Sequence, residues 1–335
     1  MVINIFIRKK TTNFHNSIER ISKELEKYSK NKSIKVNIIK CPLESSGFLN
    51  RLFLVLWAPF FQADINHIFG DINFINLFMN KKKTISTFLD CRLLDNFEGI
   101  KKIIYKLFWF QLPINRSDYI TFISNFSKKE IQKQLNKKIY RSQVIPVPLI
   151  SGLSFKINKN KRKKILIVGT MYHKNLNNML LSLEGLDIDL SIVGDINLLQ
   201  KKICKEKKIY FKNYVNISDK KIKNLYEKND ILLMASNYEG FGMPIIEAQA
   251  SGMVVITSNK EPMRSVAGGS ALLVNPKNIN DIRNKIKKVC QNKILFKKLI
   301  YQGFLNAQKY NSQLIVKKYN DLYIKLLNKN NSQKN

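Results

Sequence analysis

Short apolar runs recur along this chain, separated by stretches in which apolar residues return every three to four positions. A short apolar run bounded by turn residues is a buried strand, and the longer period is an amphipathic helix. The pattern predicts strands at 2–7, 33–39, 65–69, 84–89, 119–124 and 143–147 in the first half. In the second half it predicts them at 164–169, 189–194, 209–215, 230–236, 253–258 and 271–274. Helical patterns fill the gaps, as in "SIERISKELEKYS" (17–29). From about 278 onward the chain reads as helices, with a frayed end at 328–335. Strands alternating with helices imply parallel sheets joined by right-handed crossovers. The lysine-rich, polar "SGLSFKINKNKRKK" (151–164) has a linker's composition. The expected fold class is therefore α/β, with two Rossmann-like parallel-sheet domains facing a cleft. Their expected spans are 1–150 and 164–310, with a linker at 151–163 and a C-terminal helix with a frayed tail at 311–335.

One junction in this pattern carries chemistry. In "NYEGFGMPIIEAQASG" (237–252) a glycine turn follows the apolar run "DILLMAS" and precedes a short helix. Pro244 suits a first helical turn, where its missing N–H costs nothing, and Gly252 closes the helix. Such turns lie at the carboxyl edge of a parallel sheet, where ligands of open α/β folds bind. Gly240 and Gly242 let the main chain approach a ligand closely. Glu239 and Glu247 stand eight positions apart around the turn. Carboxylates accept hydrogen bonds from paired hydroxyls, and N–H groups at a helix start suit a phosphate. The competing reading is a capped helix bearing two solvated glutamates.

Composition narrows the partners. At 335 residues with 44% hydrophobic residues, two globular cores are affordable. The net charge of +34 is spread over both halves and implies attraction to anionic partners, nucleic acid or acidic lipid. The four cysteines lack CxxC spacing, which points to a reducing compartment rather than a zinc site or disulfide framework. "MVINIFIRKK" places its charges after its apolar run, unlike a secretory signal. "LFLVLWAPFF" (52–61) is interrupted by Pro59 and too short to span a bilayer. A cytoplasmic protein is expected, with peripheral contact at the inner face of the cell membrane left open. The aromatic-basic stretch "GIKKIIYKLFWFQLPINR" (99–116) reads either as a membrane-surface segment or as a core helix with a lysine-rich outer face.

The stretch from about 163 to 290 resembles the nucleotide-sugar-binding domain of family 4 glycosyltransferases, which have the GT-B fold. "EGFGMPIIEAQASG" resembles that family's E-x7-E motif, "VGTMYHKNL" (168–176) its phosphate segment, and "SVAGGSALLVNP" (265–276) the segment that follows. "HIFGDINF" (67–74), "TISTFLDC" (84–91) and "ITFISNFSKKEI" (120–131) are more loosely similar to its acceptor domain. The resemblance implies a retaining, metal-independent hexosyltransferase that needs no cofactor beyond a nucleoside-diphosphate sugar. It also implies a glycan or lipid-linked acceptor, in surface polysaccharide or lipopolysaccharide synthesis, and a weak lean to mannose, rhamnose or related donors. On this resemblance Glu247 binds the ribose and Glu239 contacts the donor sugar. Phe241, Gly242, Met243 and Pro244 present main chain to sugar and phosphate, and Lys174 neutralises the diphosphate. Thr170 stands where many members have an arginine, and His173 where another often sits beside the lysine. Asp90, preceded by Leu89 rather than a histidine, is a weak acceptor candidate. The usual glycine-rich loop after the first strand is replaced by "RKKTTNFHNSIER", so Thr12, His15 and Glu19 are also weak candidates.

Rival readings are fewer. Asp187 and Asp189 form a D-x-D, the metal-binding form of another glycosyltransferase fold, but they lead straight into a buried strand and read as coincidence. With three histidines in all, no metal cluster is indicated, and His67 reads as the end of a buried strand. A basic nucleic-acid-binding protein is one alternative function, but it shows no reading motif, so no nucleic acid is expected as a partner. A GT-B-fold sugar-nucleotide epimerase is the other, and it would need an acid–base set that the sequence does not show.

Overall fold

The structure, a computed structural model, describes residues 1–9, 17–29, 34–158 and 162–332. Thr12 and His15 lie outside them. The chain divides into two compact units, 1–148 with 312–335, and 149–311.

The first unit holds strands β1 (Val2–Ile7), β2 (Lys35–Lys40), β3 (Ile65–Phe69), β4 (Thr84–Phe88), β5 (Tyr119–Phe122) and β6 (Ser142–Val144). They pair in the order β2-β1-β3-β4-β5-β6, every pair parallel. Its helices before the last are α1 (Ser17–Ser29), α2 (Phe48–Trp57), α3 (Gly99–Lys106), α4 (Leu112–Asn115) and α5 (Asn125–Leu135). β3 and β4 are buried along their whole length, as expected for strands covered on both faces.

The second unit holds β7 (Lys163–Val168), β8 (Ile188–Val193), β9 (Phe211–Tyr214), β10 (Ile231–Met234), β11 (Val254–Ser258) and β12 (Leu272–Val274). Between and after them run α6 (Leu176–Ser182), α7 (Leu198–Glu206), α8 (Asp219–Lys228), α9 (Met243–Ala250), α10 (Met263–Ala267), α11 (Ile279–Gln291) and α12 (Lys293–Gln308). The strand order β12-β11-β10-β7-β8-β9 is again all parallel. Chain direction across the sheet reverses between β7 and β10, which opens a crevice at their carboxyl ends. The segment from 151, which has a linker's composition, is fastened to this unit. Lys156 donates its N–H to the Ser251 carbonyl, and the Asn158 amide bonds the carbonyls of Glu227 and Asn229.

The last helix, α13 (Ser312–Ser332), returns to the first unit. Its buried stripe is Ile315, Val316, Tyr319, Leu322, Tyr323 and Leu326, the spacing of one helical face. Polar bonds fix it further: Ser29 Oγ donates to Asn320 Oδ1 at 3.0 Å, and Lys329 Nζ lies 3.3 Å from Asp118 Oδ1. Fraying was expected from 328, yet the helix runs on to Ser332 because Lys329 and Asn330 both find partners on this unit.

His67 sits within β3 and is fully buried. One ring nitrogen lies 2.7 Å from the Tyr323 hydroxyl and the other 2.6 Å from Thr87 Oγ1. A neutral imidazole, with one donor and one acceptor, satisfies both contacts. Burial pushes its pKa from the usual 6.5 down to about 3. The unfolded chain takes up this proton as pH falls through 6.5 and the folded chain does not, so stability is lost on acidification. We predict that His67 contributes up to about 1.4 kcal/mol of destabilisation per pH unit between about pH 6.5 and about pH 5. Denaturant unfolding of the wild type and His67→Asn across that window checks it, the variant showing the shallower slope.

Candidate active site

The loop after β7 and the loop after β10 meet at the crevice of the second unit. Gly169 follows β7 with φ +93°, and the Lys174 side chain lies directly over it. A Cβ at this position would come within 3.0 Å of Lys174 Cε, so the glycine is what lets the lysine lie flat across the strand end. From there Lys174 Nζ reaches Glu239 of the facing loop, 2.7 Å from Oε1 and 3.0 Å from Oε2. Both side chains are largely shielded from water, which strengthens the pair relative to a surface ion pair. The backbone repeats the connection, since the Asn237 N–H donates to the His173 carbonyl at 2.8 Å. Asn175 adds a third tie through its side-chain amide, which bonds the carbonyls of Ala235 and Pro276. Thr170 also faces this end of the sheet, packed against Gly194.

Gly242 caps α9 at φ +97°, a left-handed conformation that favours glycine. Phe241 turns its ring inward, edge-on to Tyr310, with centroids 5.7 Å apart. The turn therefore presents main chain while its one large side chain is spent on packing. Met243 and Pro244 open the helix, half-buried. Glu247 lies one turn further in, buried, and accepts a hydrogen bond from the Tyr226 hydroxyl at 2.6 Å. Tyr226 belongs to the inward stripe of α8 with Ile222 and Leu225, a pattern that signals core and hides a polar role. Sequence reasoning missed it for that reason. The D-x-D carboxylates Asp187 and Asp189 are paired with Arg162, at 2.9 and 3.4 Å.

The first unit has a cavity of about 260 Å³ at the carboxyl ends of β1, β3 and β4. Its walls include Arg8, Asp71, Leu89, Asp90, Trp109 and Phe110. Arg8 Nη1 lies 3.4 Å from Asp71 Oδ2, and its Nε lies 3.8 Å from Glu19 Oε1. The Trp109 indole donates to the Asp71 carbonyl at 3.1 Å. Burial pushes the Asp90 carboxyl above its usual pKa, the Asp71 charge adds to this, and a hydrogen bond from the Arg92 N–H opposes it. Of the weak acceptor candidates, Asp90 thus lines this cavity, Glu19 stands behind Arg8, and His15 lies outside the described residues. Arg8, Asp71 and Trp109 were not anticipated, although Arg8 and Asp71 each stand just past a strand end.

Residues 152–305 match the family model described as Glycosyl transferases group 1. Over this stretch the chain is similar to group 1 glycosyltransferase domains. The matched residues contain both loops of the crevice and all of α9. Over 206 residues the chain is 28% identical to the O-antigen chain mannosyltransferase RfbU of Salmonella typhimurium, covering 57% of this chain and 56% of RfbU. The chain thus spans about half the length of that relative. Among solved structures, the sucrose-phosphate synthase of Thermosynechococcus elongatus superposes with a TM-score of 0.76 at 14% identity, covering 97% of this chain and 98% of the synthase. Anabaena HepE, solved in complex with UDP and glucose, gives a TM-score of 0.74 at 12% identity, covering 96% and 99%. At such identities the likeness is one of fold, and the fold is that of GT-B glycosyltransferases.

The Tyr226–Glu247 bond yields a stability prediction. Tyr226→Phe removes a donor to the buried Glu247 carboxyl, and leaving a buried polar group without one of its hydrogen bonds costs about 1–3 kcal/mol. Urea unfolding of the variant is expected to show a loss of that size with an unchanged m-value.

Proposed function

We propose that the protein is a retaining, metal-independent glycosyltransferase. It takes a sugar from a nucleoside-diphosphate donor held in the β7–β10 crevice and delivers it to a glycan or lipid-linked acceptor for surface polysaccharide or lipopolysaccharide synthesis. The observation that carries this reading is the Lys174–Glu239 pair, which places a cation and a carboxylate side by side at the switch point of a parallel sheet. RfbU, a mannosyltransferase by name, supports a mannose-type donor. The nucleic-acid-binding and epimerase alternatives gain no support from these relatives.

In this reading each residue has a task that its position permits. An ammonium has three donors and Glu239 engages at most two, so Lys174 keeps one for a diphosphate oxygen. Its charge neutralises the leaving group as the glycosidic bond breaks. Main-chain groups from Gly240 through Met243 line the sugar and phosphate, with the start of α9 favouring negative charge. Thr170 offers a hydroxyl to the phosphates. Glu247, oriented by Tyr226, accepts from the ribose hydroxyls. Glu239 contacts the sugar, where its carboxylate stabilises positive charge developing at the anomeric carbon. The cavity of the first unit takes the acceptor: Asp90 and Asp71 accept from hydroxyls, and the Trp109 ring gives an apolar wall.

The two glutamates separate under mutation. A ribose contact is present in ground and transition states alike, so Glu247→Ala raises KM for the donor with little change in kcat. Affinity for the free nucleoside diphosphate should drop roughly ten- to a hundredfold. Glu239→Gln removes the carboxylate that offsets Lys174, so it should lower kcat and leave diphosphate affinity unchanged or raised. Calorimetric titration of the diphosphate, with donor kinetics in the presence of EDTA, measures all three quantities. Loss of diphosphate affinity in Glu239→Gln but not in Glu247→Ala reverses these roles. Transfer abolished by EDTA and restored by Mn²⁺ overturns the metal-free part.

A further inference from the structure

The first unit carries an apolar surface that neither the donor crevice nor the acceptor cavity uses. On α2, Leu54 and Val55 point into the core, joined by Ala58 just beyond the helix. The opposite face consists of Phe48, Leu49, Leu52, Phe53 and Leu56, and all five are exposed, Phe48 and Leu49 at 76%. No polar side chain interrupts this stripe. The 3₁₀ turn at Ala58–Phe61 extends it with Phe60, 85% exposed, and Phe61. On α3 the stripe Ile100, Ile103 and Ile104 faces outward as well, continued by Phe108. The two helices are held as neighbours by Arg51 of α2. Its guanidinium lies 4.6 Å from the Trp109 ring centroid and bonds the Tyr105 hydroxyl of α3 at 3.4 Å. Of the two readings of 99–116, the core helix with a lysine-rich outer face does not fit, because isoleucines hold the outer face and Tyr105 and Trp109 the inner one.

We propose that this face of α2, the 58–61 turn and α3 docks on an anionic lipid bilayer. Exposed apolar surface of this extent on neighbouring elements marks an interaction site, and the charges around it select the partner. Lys101 and Lys106 flank the isoleucine stripe on α3. Lys81 and Lys82 stand exposed beside the 58–61 turn, held there by the Asn80 N–H bond to Gln62 Oε1 at 2.7 Å. An apolar face rimmed by lysines matches a surface that is apolar beneath and negative at its rim, as a bilayer with acidic headgroups is. A second copy of this chain matches it poorly, since each copy brings the same lysines and a net charge of +34. No helix among the described residues is long and apolar enough to cross a membrane, so the contact lies within the interface. Both tryptophans of the chain, Trp57 and Trp109, stand at the inner edge of this face and would report on docking.

The test is flotation of the full chain with vesicles of phosphatidylcholine, alone or mixed with phosphatidylglycerol, at low and high salt. Wild type is expected to float with the mixed vesicles, to retain part of that binding at high salt, and to show a blue shift of tryptophan emission. Removing three exposed anchors in F48S/L49S/F60S should lower partitioning about a hundredfold without lowering Tm. K101Q/K106Q should lower it about fivefold per lysine, and only at low salt. I100S/I103S, on the other helix, repeats the first comparison should that triple variant fold poorly. Binding of the serine variants equal to wild type would show that charge alone acts and would overturn the proposal. A concentration-dependent dimer that F48S/L49S/F60S dissolves, with no vesicle recovery of wild type, would overturn it in favour of a second copy. Donor-site chemistry does not enter these readouts, so they stand or fall apart from the proposed reaction.

Discussion

A lysine ammonium held 2.7 Å from a carboxylate oxygen ties together the two loops of the second unit's candidate site. Lys174 comes from the loop after β7 and Glu239 from the loop after β10, the two strands at which the sheet's chain direction reverses. Water would dissolve much of such a pair's strength, but neither side chain is open to it. Once the pair is made, the surrounding parts have fixed places. The Asn237–His173 backbone bond closes the same gap, the glycine turn lies between Glu239 and α9, and Glu247 is set one turn inside that helix. These side chains are thus oriented by the fold itself, the kind of preorganisation that the proposed electrostatic catalysis would draw on.

The cation and the carboxylate also limit each other. Glu239 offsets part of the charge that Lys174 would present to a diphosphate, and Lys174 keeps Glu239 turned into the crevice. On the proposed reading, a donor entering there meets a lysine whose charge Glu239 already partly offsets, despite the basic character of the whole chain. Attraction over distance comes from the overall charge, and discrimination comes from the short contacts. The proposed docking face divides the work in the same way, with lysines for long-range attraction and phenylalanines and leucines for short-range anchorage.

Stabilisation of the first unit is distributed differently. Its polar layer, built from His67, Thr87 and Tyr323, joins adjacent strands to a helix more than two hundred residues away in sequence. The last helix is therefore part of the first core, and the second unit is inserted in the chain between that core's body and its final helix. This arrangement also explains why the C-terminal residues stay helical to Ser332 despite a polar, asparagine-rich sequence that favours fraying in isolation.

The sequence by itself determined the local and periodic features. Apolar runs and helical spacing placed the strands within a few residues and α1 at Ser17–Ser29, because burial on both faces and amphipathic packing write themselves into composition and period. The turn at 239–244 was legible too, since Pro and Gly have positional meaning in a strand–turn–helix junction. Tertiary structure alone decided the rest. The lysine over Gly169 finds its carboxylate 65 positions away, and the phenol that orients Glu247 sits in a stripe indistinguishable from core. Arg8 and Asp71 become neighbours of Asp90 only when three strand ends are brought to one edge. The outward face of α2 was hidden for the opposite reason: a run as apolar as 52–61 reads as buried, and only packing shows that one face of the helix is exposed. Periodicity records which residues share a face. It does not record what that face meets, because that is set by contacts between segments far apart in the chain.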